Sequence, residues 1–365
     1  MTLPTPLPTP LPLPLPHRSH GTRQPGESPA ISVVVPAYNE QEVLAEFHAR
    51  TVPVLEAIGL PFEIVYVNDG SRDRTLEVML ALQAADSRVA VVNLSRNFGK
   101  EIALTAGLDH AAATEAVVVI DADLQDPPEV IPDLVAAWRH GFDIAYAQRR
   151  MREGETWLKK ATAAGFYRVM QRLGGRVQLP ANTGDFRLMS RRALDALLTL
   201  REQHRFMKGL FAWVGFPSVP VLYDRAPRAA GTTKWNYWKL WNFSLEGITS
   251  FTVGPLKIAT YLGLITAVFA AAFGAQIIAK TLIWGNPVAG YPSLMAVVLF
   301  LGGVQLMTLG IIGEYLGRVF NETKGRPLYF IERHIPSGEA YRQASSVPTG
   351  AQRAAPSGTS GASAA

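Results

Sequence analysis

Short apolar runs alternate with amphipathic stretches between Ile31 and Tyr146. Five of these runs have the length and continuous hydrophobicity of buried strands: ISVVVP, FEIVYVND, VAVVNLS, AVVVID and FDIAYA. The segments between them, such as RDRTLEVMLALQAA, place apolar residues three and four positions apart, as amphipathic helices do. Strands that alternate with helices predict right-handed βαβ units. We therefore expect an α/β domain with a mostly parallel sheet.

The last third of the chain contains two long stretches without a charged residue. They run from Ile258 to Ala279 and from Ser293 to Gly313, and each is long enough to span a bilayer, which takes about 20 residues. The loop between them carries only Lys280. Basic residues lie outside the pair, at Arg225, Arg228, Lys234, Lys239 and Lys257 before it and at Arg318, Lys324, Arg326 and Arg333 after it.

This charge distribution predicts a topology. The positive-inside rule places both ends of the pair, and with them the α/β domain, in the cytoplasm. The alternative is a pair of buried helices in a soluble core. The length of the two stretches, their pairing and their basic flanks favour the membrane.

The segment before the first apolar stretch has the composition of a membrane-interface helix. Trp235, Trp238 and Trp241 recur every third residue, with Lys234 and Lys239 beside them. Aromatic rings lie at the depth of the lipid headgroups, where basic side chains find anionic partners. A second basic amphipathic segment, ETWLKKATAAGFYRVMQRLGG, is compatible both with the same surface and with the protein core.

Composition narrows the class of protein. The 365 residues are 48% hydrophobic and only 18% charged, which agrees with membrane segments. A net charge of +5 suits a phosphate ligand or a membrane surface and is too small to indicate nucleic acid. The absence of cysteine excludes disulfides, thiolate catalysis and cysteine-based zinc sites. The proline-rich first 30 residues lack the basic start of a signal peptide, and we expect them to be disordered.

Polar residues follow four of the predicted strands, in PAYNE, NDGSRD, NFGKE and DADLQD. Ligands of parallel sheets bind beyond the carboxyl ends of the strands, so these motifs mark the expected site. Asp121 and Asp123 are two residues apart at a strand end, where both can reach one hard cation. Mg²⁺ or Mn²⁺ would join such carboxylates to substrate phosphates. Each motif alone is equally typical of a turn or a helix cap.

In this order and spacing, PAYNE, NDGSRDRT, NFGKE and DADLQDPPE resemble the inverting family 2 glycosyltransferases. The similarity continues through NTGDFRLMSRRALDAL, HRFMKGLFAWVGF and RAAGTTKW into the paired apolar stretches, and covers about residues 31–333. The chain is most similar to the polyprenyl-phosphate glycosyltransferases, such as dolichol-phosphate mannose synthase and bactoprenol glucosyltransferase. One departure is mild, because Thr233 and Trp235 stand where relatives commonly have Ser and Tyr.

The resemblance implies a donor site. Donor-binding residues would be Pro36, Ala37, Tyr38, Glu40, Asp69, Ser71, Lys100, Asp121, Ala122 and Gln125. Asp121 would lie on the ribose or metal side, Asp123 would be the principal ligand of a Mg²⁺ or Mn²⁺ ion, and Gln125 would lie alongside. Asp126 would support the donor-binding side chains without contacting the donor or the metal, or it would cap the following helix.

The resemblance also implies the catalytic and acceptor groups. Asp185 in GDFR would be the catalytic base or position the acceptor, acting together with Asp123. Arg187 would serve phosphate binding or the fold. The phosphate of a polyprenyl acceptor would be bound by Arg149, Arg152, Arg205, Arg228 and Lys234.

The implied fold is GT-A, a Rossmann-like, mostly parallel sheet domain followed by interface helices and two transmembrane helices. The expected segments are a tail (1–30), the catalytic domain (31–230), an interface region (231–257), a transmembrane hairpin (258–317) and a cytoplasmic tail, disordered at its end (318–365). The enzyme would be a multi-pass protein of the inner membrane with both termini in the cytoplasm. Glycines 302, 303, 310, 313 and 317 would allow the hairpin to pack against a second copy.

The implied reaction is inverting sugar transfer from a nucleotide sugar to undecaprenyl phosphate, for glycosylation of the cell envelope. UDP-glucose is the expected donor, with GDP-mannose, UDP-N-acetylglucosamine and an aminoarabinose donor as alternatives. A phosphatase would carry its Asp-x-Asp after the first strand rather than the fourth. A processive polysaccharide synthase would add a QxxRW motif and further spans. A non-catalytic scaffold would have lost some of the acids at the strand ends.

Overall fold

The computed structural model describes residues 28–150, 180, 183–224, 254–284 and 290–338. Arg152, Arg228 and Lys234 lie outside these ranges, as do the tryptophan-rich interface segment and the second amphipathic segment.

Eight strands and eight α-helices make up the described part of the chain. The strands are β1 (Ile31–Ala37), β2 (Phe62–Asn68), β3 (Val89–Leu94), β4 (Ala116–Val119), β5 (Ile144–Arg149), β6 (Thr183–Ser190), β7 (Ser218–Tyr223) and β8 (Ile331–Ile335). The helices are α1 (Leu44–Ile58), α2 (Thr75–Ala85), α3 (Lys100–Asp109), α4 (Ile131–Arg139), α5 (Arg191–Leu198), α6 (Met207–Trp213), α7 (Gly254–Trp284) and α8 (Tyr291–Thr323).

All eight strands belong to one sheet, in the order β7-β5-β6-β4-β1-β2-β3-β8. The central strands β4, β1, β2 and β3 run parallel, β7 is parallel to β5, and β6 and β8 run antiparallel to their neighbours. Every residue of β1 to β4 is buried, as expected for strands covered on both faces. The α/β class with a mostly parallel sheet is therefore confirmed.

Helix α3 packs very close to this sheet. A Cβ atom at Gly107 would lie 2.4 Å from Cγ1 of Val34, so only glycine fits there. The preceding Gly99 has a φ of 97°, a conformation that favours glycine, and it turns the chain from the end of β3 into α3. Lys100, the first residue of α3, is thereby fixed at the carboxyl edge of the sheet.

Helices α7 and α8 contain 31 and 33 residues. Their apolar segments, Pro255–Trp284 and Phe300–Thr323, have mean hydropathies of 2.0 and 1.2, and neither is buried in the protein. By length and composition, both helices are suited to crossing a membrane.

The chain returns to the sheet after α8. Strand β8 pairs with β3, the backbone N–H of Ser95 donates to the carbonyl of Phe330 at 3.0 Å, and the Ser337 hydroxyl donates to the buried carboxylate of Glu63 at 2.8 Å. Without β8, strand β3 would be an open edge of the sheet. These residues were expected to belong to a cytoplasmic tail, and strand β8 was not predicted.

Candidate active site

The loop after β4 exposes alternate side chains. Ala122, Leu124 and Asp126 are at most 3% exposed, whereas the intervening Asp121, Asp123 and Gln125 are partly exposed. Leu124 has a φ of 57°, which is uncommon outside glycine, and Asp123 Oδ1 accepts the Gln125 N–H at 3.1 Å. The loop therefore presents two carboxylates and one amide to the solvent side.

The sheet brings Asp185 next to this loop. Val119 of β4 pairs with Arg187 of β6, and continuing this antiparallel register by two residues sets Asp121 opposite Asp185. The Lys100 Nζ lies 2.7 Å from the Asp121 carboxylate and 2.7 Å from Asp185 Oδ2. One ammonium group thus joins the expected donor and acceptor aspartates.

Burial and charge shift the pKa values of this triad. Partial desolvation opposes the charged form of Lys100, whose side chain is 47% exposed, but Asp121 and Asp185 raise its pKa well above the ordinary value. Burial likewise opposes ionisation of Asp185, but Lys100, followed by Lys208, holds its pKa below the usual range. Burial raises the pKa of Asp121 despite the opposing charge of Lys100. Asp185 is thus ionised at neutral pH, and its buried Oδ1 accepts no hydrogen bond from the described residues.

Arg187 supports the backbone around Asp185. Its guanidinium donates to the carbonyls of Asp185 at 3.1 Å and Gly184 at 2.8 Å, and its Cζ lies 3.7 Å from the centre of the Phe211 ring. The side chain is buried, and burial lowers its pKa to about 10. Of the two roles considered for Arg187, these contacts favour the fold.

Glu101 is a group that sequence reasoning missed. Burial is the main cause that raises its pKa to about 7, and the negative charge of Asp185 raises it further. Its Oε2 accepts the backbone N–H of Met207 at 3.2 Å, which ties the start of α6 to the site. Its place after Lys100 in NFGKE was the available signal.

The ends of β1 and β2 are joined by hydrogen bonds. Pro36 and Ala37 are buried at the end of β1, and the partly exposed Tyr38 and Glu40 follow. The Ser71 hydroxyl accepts the Asn39 N–H at 3.0 Å, and Thr75 Oγ1 accepts the Glu40 N–H at 2.9 Å. The residues expected to bind the nucleoside therefore lie on turns that are hydrogen-bonded to each other. Ser71 stabilises the turn after β1 through its bond to Asn39.

Asp69 holds the loop that precedes Lys100. Its carboxylate oxygens accept the backbone N–H groups of Phe98 at 2.7 Å and Gly99 at 3.0 Å. It is 3% exposed, and burial raises its pKa against the effect of these hydrogen bonds. Its contact with a nucleoside stays a prediction, whereas its contact with the loop is direct.

Gly70 is packed against the same loop, and an added methyl group would disrupt it. With a φ of 61°, a Cβ there would lie 2.4 Å from the backbone carbon of Arg96. We expect Gly70→Ala to lower the melting temperature in detergent far more than Gly59→Ala. Gly59 is a matched control because its φ is 72° and nothing lies within 4 Å of the added methyl. Equal losses in the two variants would show that only the backbone conformation matters.

Asp126 does not cap a helix. The 3-10 turn that follows it begins at Pro128 without a side-chain cap, so the capping role considered for Asp126 is wrong. The Asp126 carboxylate instead accepts the Tyr223 hydroxyl and lies 3.9 Å from the Arg149 guanidinium. Arg149 also donates to the Tyr223 hydroxyl at 3.1 Å, while its side chain stays 30% exposed. Arg149 is thus positioned beside the loop after β4 with part of its surface open.

Arg205, which is expected to bind the acceptor phosphate, is buried. It is only 5% exposed, and it donates to the Leu200 carbonyl and, at 3.6 Å, to the Met207 sulfur. Burial lowers its pKa. Packing of the loop before α6 turns this side chain toward the protein interior, and its contact with the lipid phosphate stays a prediction. Lys208, three residues later, is instead partly exposed and close enough to lower the pKa values of Asp185 and Glu101.

The donor set at the loop after β4 suits a hard divalent cation that arrives with its substrate. The described residues contain no cluster of three or more His, Cys, Asp or Glu side chains that could hold a metal alone. Asp121, Asp123 and Gln125 offer only oxygen ligands on the partly exposed side of the loop. Mg²⁺ is commonly bound by one or two carboxylates and completes its coordination with water and substrate phosphates.

Comparisons with known proteins identify the family of this chain. Residues 32–198 match the model of glycosyl transferase family 2, and residues 254–319 match the GtrB C-terminal hairpin. An uncharacterized glycosyltransferase of Synechocystis, sll0501, is 54% identical over 301 residues, which cover 82% of this chain and 94% of the relative. The bactoprenol glucosyl transferase of Shigella phage SfII is 47% identical over 303 residues, covering 83% of this chain and 97% of the relative.

Among solved structures, glucosyl-3-phosphoglycerate synthase of Mycobacterium tuberculosis in complex with Mn²⁺, UDP and phosphoglyceric acid is similar at a TM-score of 0.44. It is 21% identical and covers 60% of this chain and 76% of that one, which is too distant to bear on ligands here. The two relatives match more than four fifths of this chain at about half identity. This similarity shows that the chain belongs to glycosyl transferase family 2 and is a glycosyltransferase.

Proposed function

We propose that this enzyme transfers glucose from UDP-glucose to a polyprenyl phosphate, with inversion at the anomeric carbon of the sugar. Undecaprenyl phosphate is the expected acceptor. The observation that carries the proposal is the Lys100 bridge between Asp121 and Asp185, because it joins a nucleotide-sugar loop to a second, ionised carboxylate. The bactoprenol glucosyl transferases among its relatives support both the sugar and the lipid class.

The donor would lie across the ends of β1, β2 and β4. Tyr38 and Glu40 would contact the nucleoside, and Asp121, Asp123 and Gln125 would face the diphosphate through a Mg²⁺ or Mn²⁺ ion. The cation would neutralise the charge that develops on the departing diphosphate. Lys100 lies within reach of the same charge because it contacts Asp121.

The acceptor is already an anion, so its activation requires little proton transfer. Asp185 would orient a singly protonated phosphate by accepting a hydrogen bond from it at Oδ1, the oxygen that has no partner among the described residues. Arg149 and Lys208 would balance the phosphate charge, and Arg152, Arg228 and Lys234 stay predictions for the same role. Attack opposite the departing diphosphate inverts the anomeric centre, and much of the rate enhancement comes from positioning.

The membrane arrangement fits a lipid acceptor. Strand β7 precedes α7 and β8 follows α8, and both strands belong to the same sheet. If α7 and α8 each cross the membrane, both ends of the hairpin return to the side of the catalytic domain. We propose that this side is the cytoplasm, as the flanking basic residues predict.

A donor screen tests the proposal. Purified protein would be incubated with polyprenyl phosphate and labelled UDP-glucose, UDP-N-acetylglucosamine or GDP-mannose, with Mn²⁺ or with a chelator. We expect a glucosylated lipid that is labile in mild acid and requires the cation. Transfer of another sugar would correct the donor alone, whereas no transfer from any donor to the lipid would overturn the function.

A further inference from the structure

A chain of hydrogen bonds connects the strand after α8 with the turn that follows β1. Glu332 Oε2 accepts from Asn93 Nδ2 at 2.9 Å, and Asn93 Oδ1 accepts from Asn68 Nδ2 at 2.7 Å. Asn68 Oδ1 accepts the backbone N–H of Ser71 at 3.2 Å, and the Ser71 hydroxyl accepts the N–H of Asn39 at 3.0 Å. The chain crosses from β8 over β3 and β2 to the end of β1.

The two ends of this hydrogen-bond chain determine its direction. An ionised Glu332 carboxylate can only accept, and the backbone N–H of Ser71 can only donate. Each asparagine amide therefore has one orientation that satisfies both of its neighbours. Asn68 and Asn93 are 3% and 5% exposed, and a buried amide that loses its partner destabilises the arrangement around it.

We propose that Glu332 is a positioning residue for the donor pocket, acting through Asn93, Asn68 and Ser71 on the turn that carries Tyr38 and Glu40. The inference rests on the proposed function, which assigns this turn to the nucleoside. Glu332 is 239 positions from Asn93 in sequence, and the whole membrane hairpin separates them. The segment after the hairpin would thus help to shape the proposed nucleoside pocket, whose contacting residues Tyr38 and Glu40 lie near the start of the catalytic domain's sequence.

The expected effect is on donor affinity alone. Glu332→Ala should raise the dissociation constant for UDP and the KM for the nucleotide sugar about three- to tenfold, the size of one lost hydrogen bond. Values of kcat and of the KM for polyprenyl phosphate should stay within about twofold, since Asp185 and its neighbours are not part of the chain. Glu332→Gln should restore wild-type affinity because its amide oxygen still accepts from Asn93.

Full-length protein in detergent is the sample, titrated with UDP and, in parallel, GDP. Arg333→Ala is the matched control, because Arg333 is exposed and pairs with Asn93 in the strand ladder without a side-chain hydrogen bond in the described structure. The inference is overturned if Glu332→Ala binds nucleotide as wild type does, or if Arg333→Ala weakens binding equally. Wild-type protein that binds neither nucleotide would instead overturn the proposed function.

Discussion

Replacing Asp185 by asparagine lowers kcat about a thousandfold and leaves the affinity for UDP within about twofold of wild type. Asparagine keeps the shape of the side chain but removes the negative charge that pairs with Lys100 and that is proposed to orient the acceptor phosphate. Removing one group that stabilises charge at the reacting centre costs about a hundred- to thousandfold in kcat. Steady-state kinetics with saturating lipid and titration with UDP measure the two quantities.

Asp195→Asn is the control for this variant. Asp195 is a half-exposed carboxylate on α5 that pairs only with Arg191 among the described residues, and α5 follows the end of β6 opposite to Asp185. The Asp195→Asn variant should leave both kcat and the affinity for UDP unchanged. A kcat for Asp185→Asn within tenfold of wild type would show that Asp185 contributes orientation rather than charge.

Replacing Asp123 by alanine lowers kcat/KM for the nucleotide sugar about a thousandfold, because the donor diphosphate would lose the principal ligand of its proposed cation. Unlike the Asp185 variant, this one loses nucleotide affinity. In the presence of Mn²⁺ it should bind UDP no better than wild type does with a chelator. Calorimetric titration with and without the metal provides a readout that does not depend on turnover.

The control is Asp133→Ala, which removes an exposed carboxylate from the first turn of α4. Its UDP affinity should respond to Mn²⁺ as that of wild type does. If Asp123→Ala kept a metal-dependent gain in affinity, the cation would have to be held by other residues.

Much of the sheet could be predicted because each of its central strands is marked by a continuous apolar run in the local sequence. Continuous apolar runs identified β1 to β5, and parallel pairing necessarily brings their polar ends together. Strand β8 could not be predicted, because five exposed or half-exposed residues, IERHI, carry no strand signal of their own. They form a strand because β3 offers an unpaired edge.

The site was predictable to the same extent. Motif resemblance indicated Asp121, Asp123 and Asp185 as candidates, and the register between β4 and β6 explains why the first and last of these meet. Motifs do not determine which way a side chain packs. Arg205 and Lys208 stand three positions apart in HRFMKG, yet only Lys208 is partly open to solvent, because the loop before α6 turns Arg205 toward the Leu200 carbonyl. The Asn93–Glu332 contact joins residues with no relation in sequence.

The anomeric configuration of the lipid product tests the central claim most directly. Purified protein, UDP-glucose and undecaprenyl phosphate would be allowed to react, and the extracted lipid would be analysed by proton and phosphorus NMR. The donor is α-linked, so an inverting transfer to the lipid phosphate predicts a β-linked glucosyl phosphodiester. An α-linked product, or glucose attached anywhere other than to the lipid phosphate, would contradict the account.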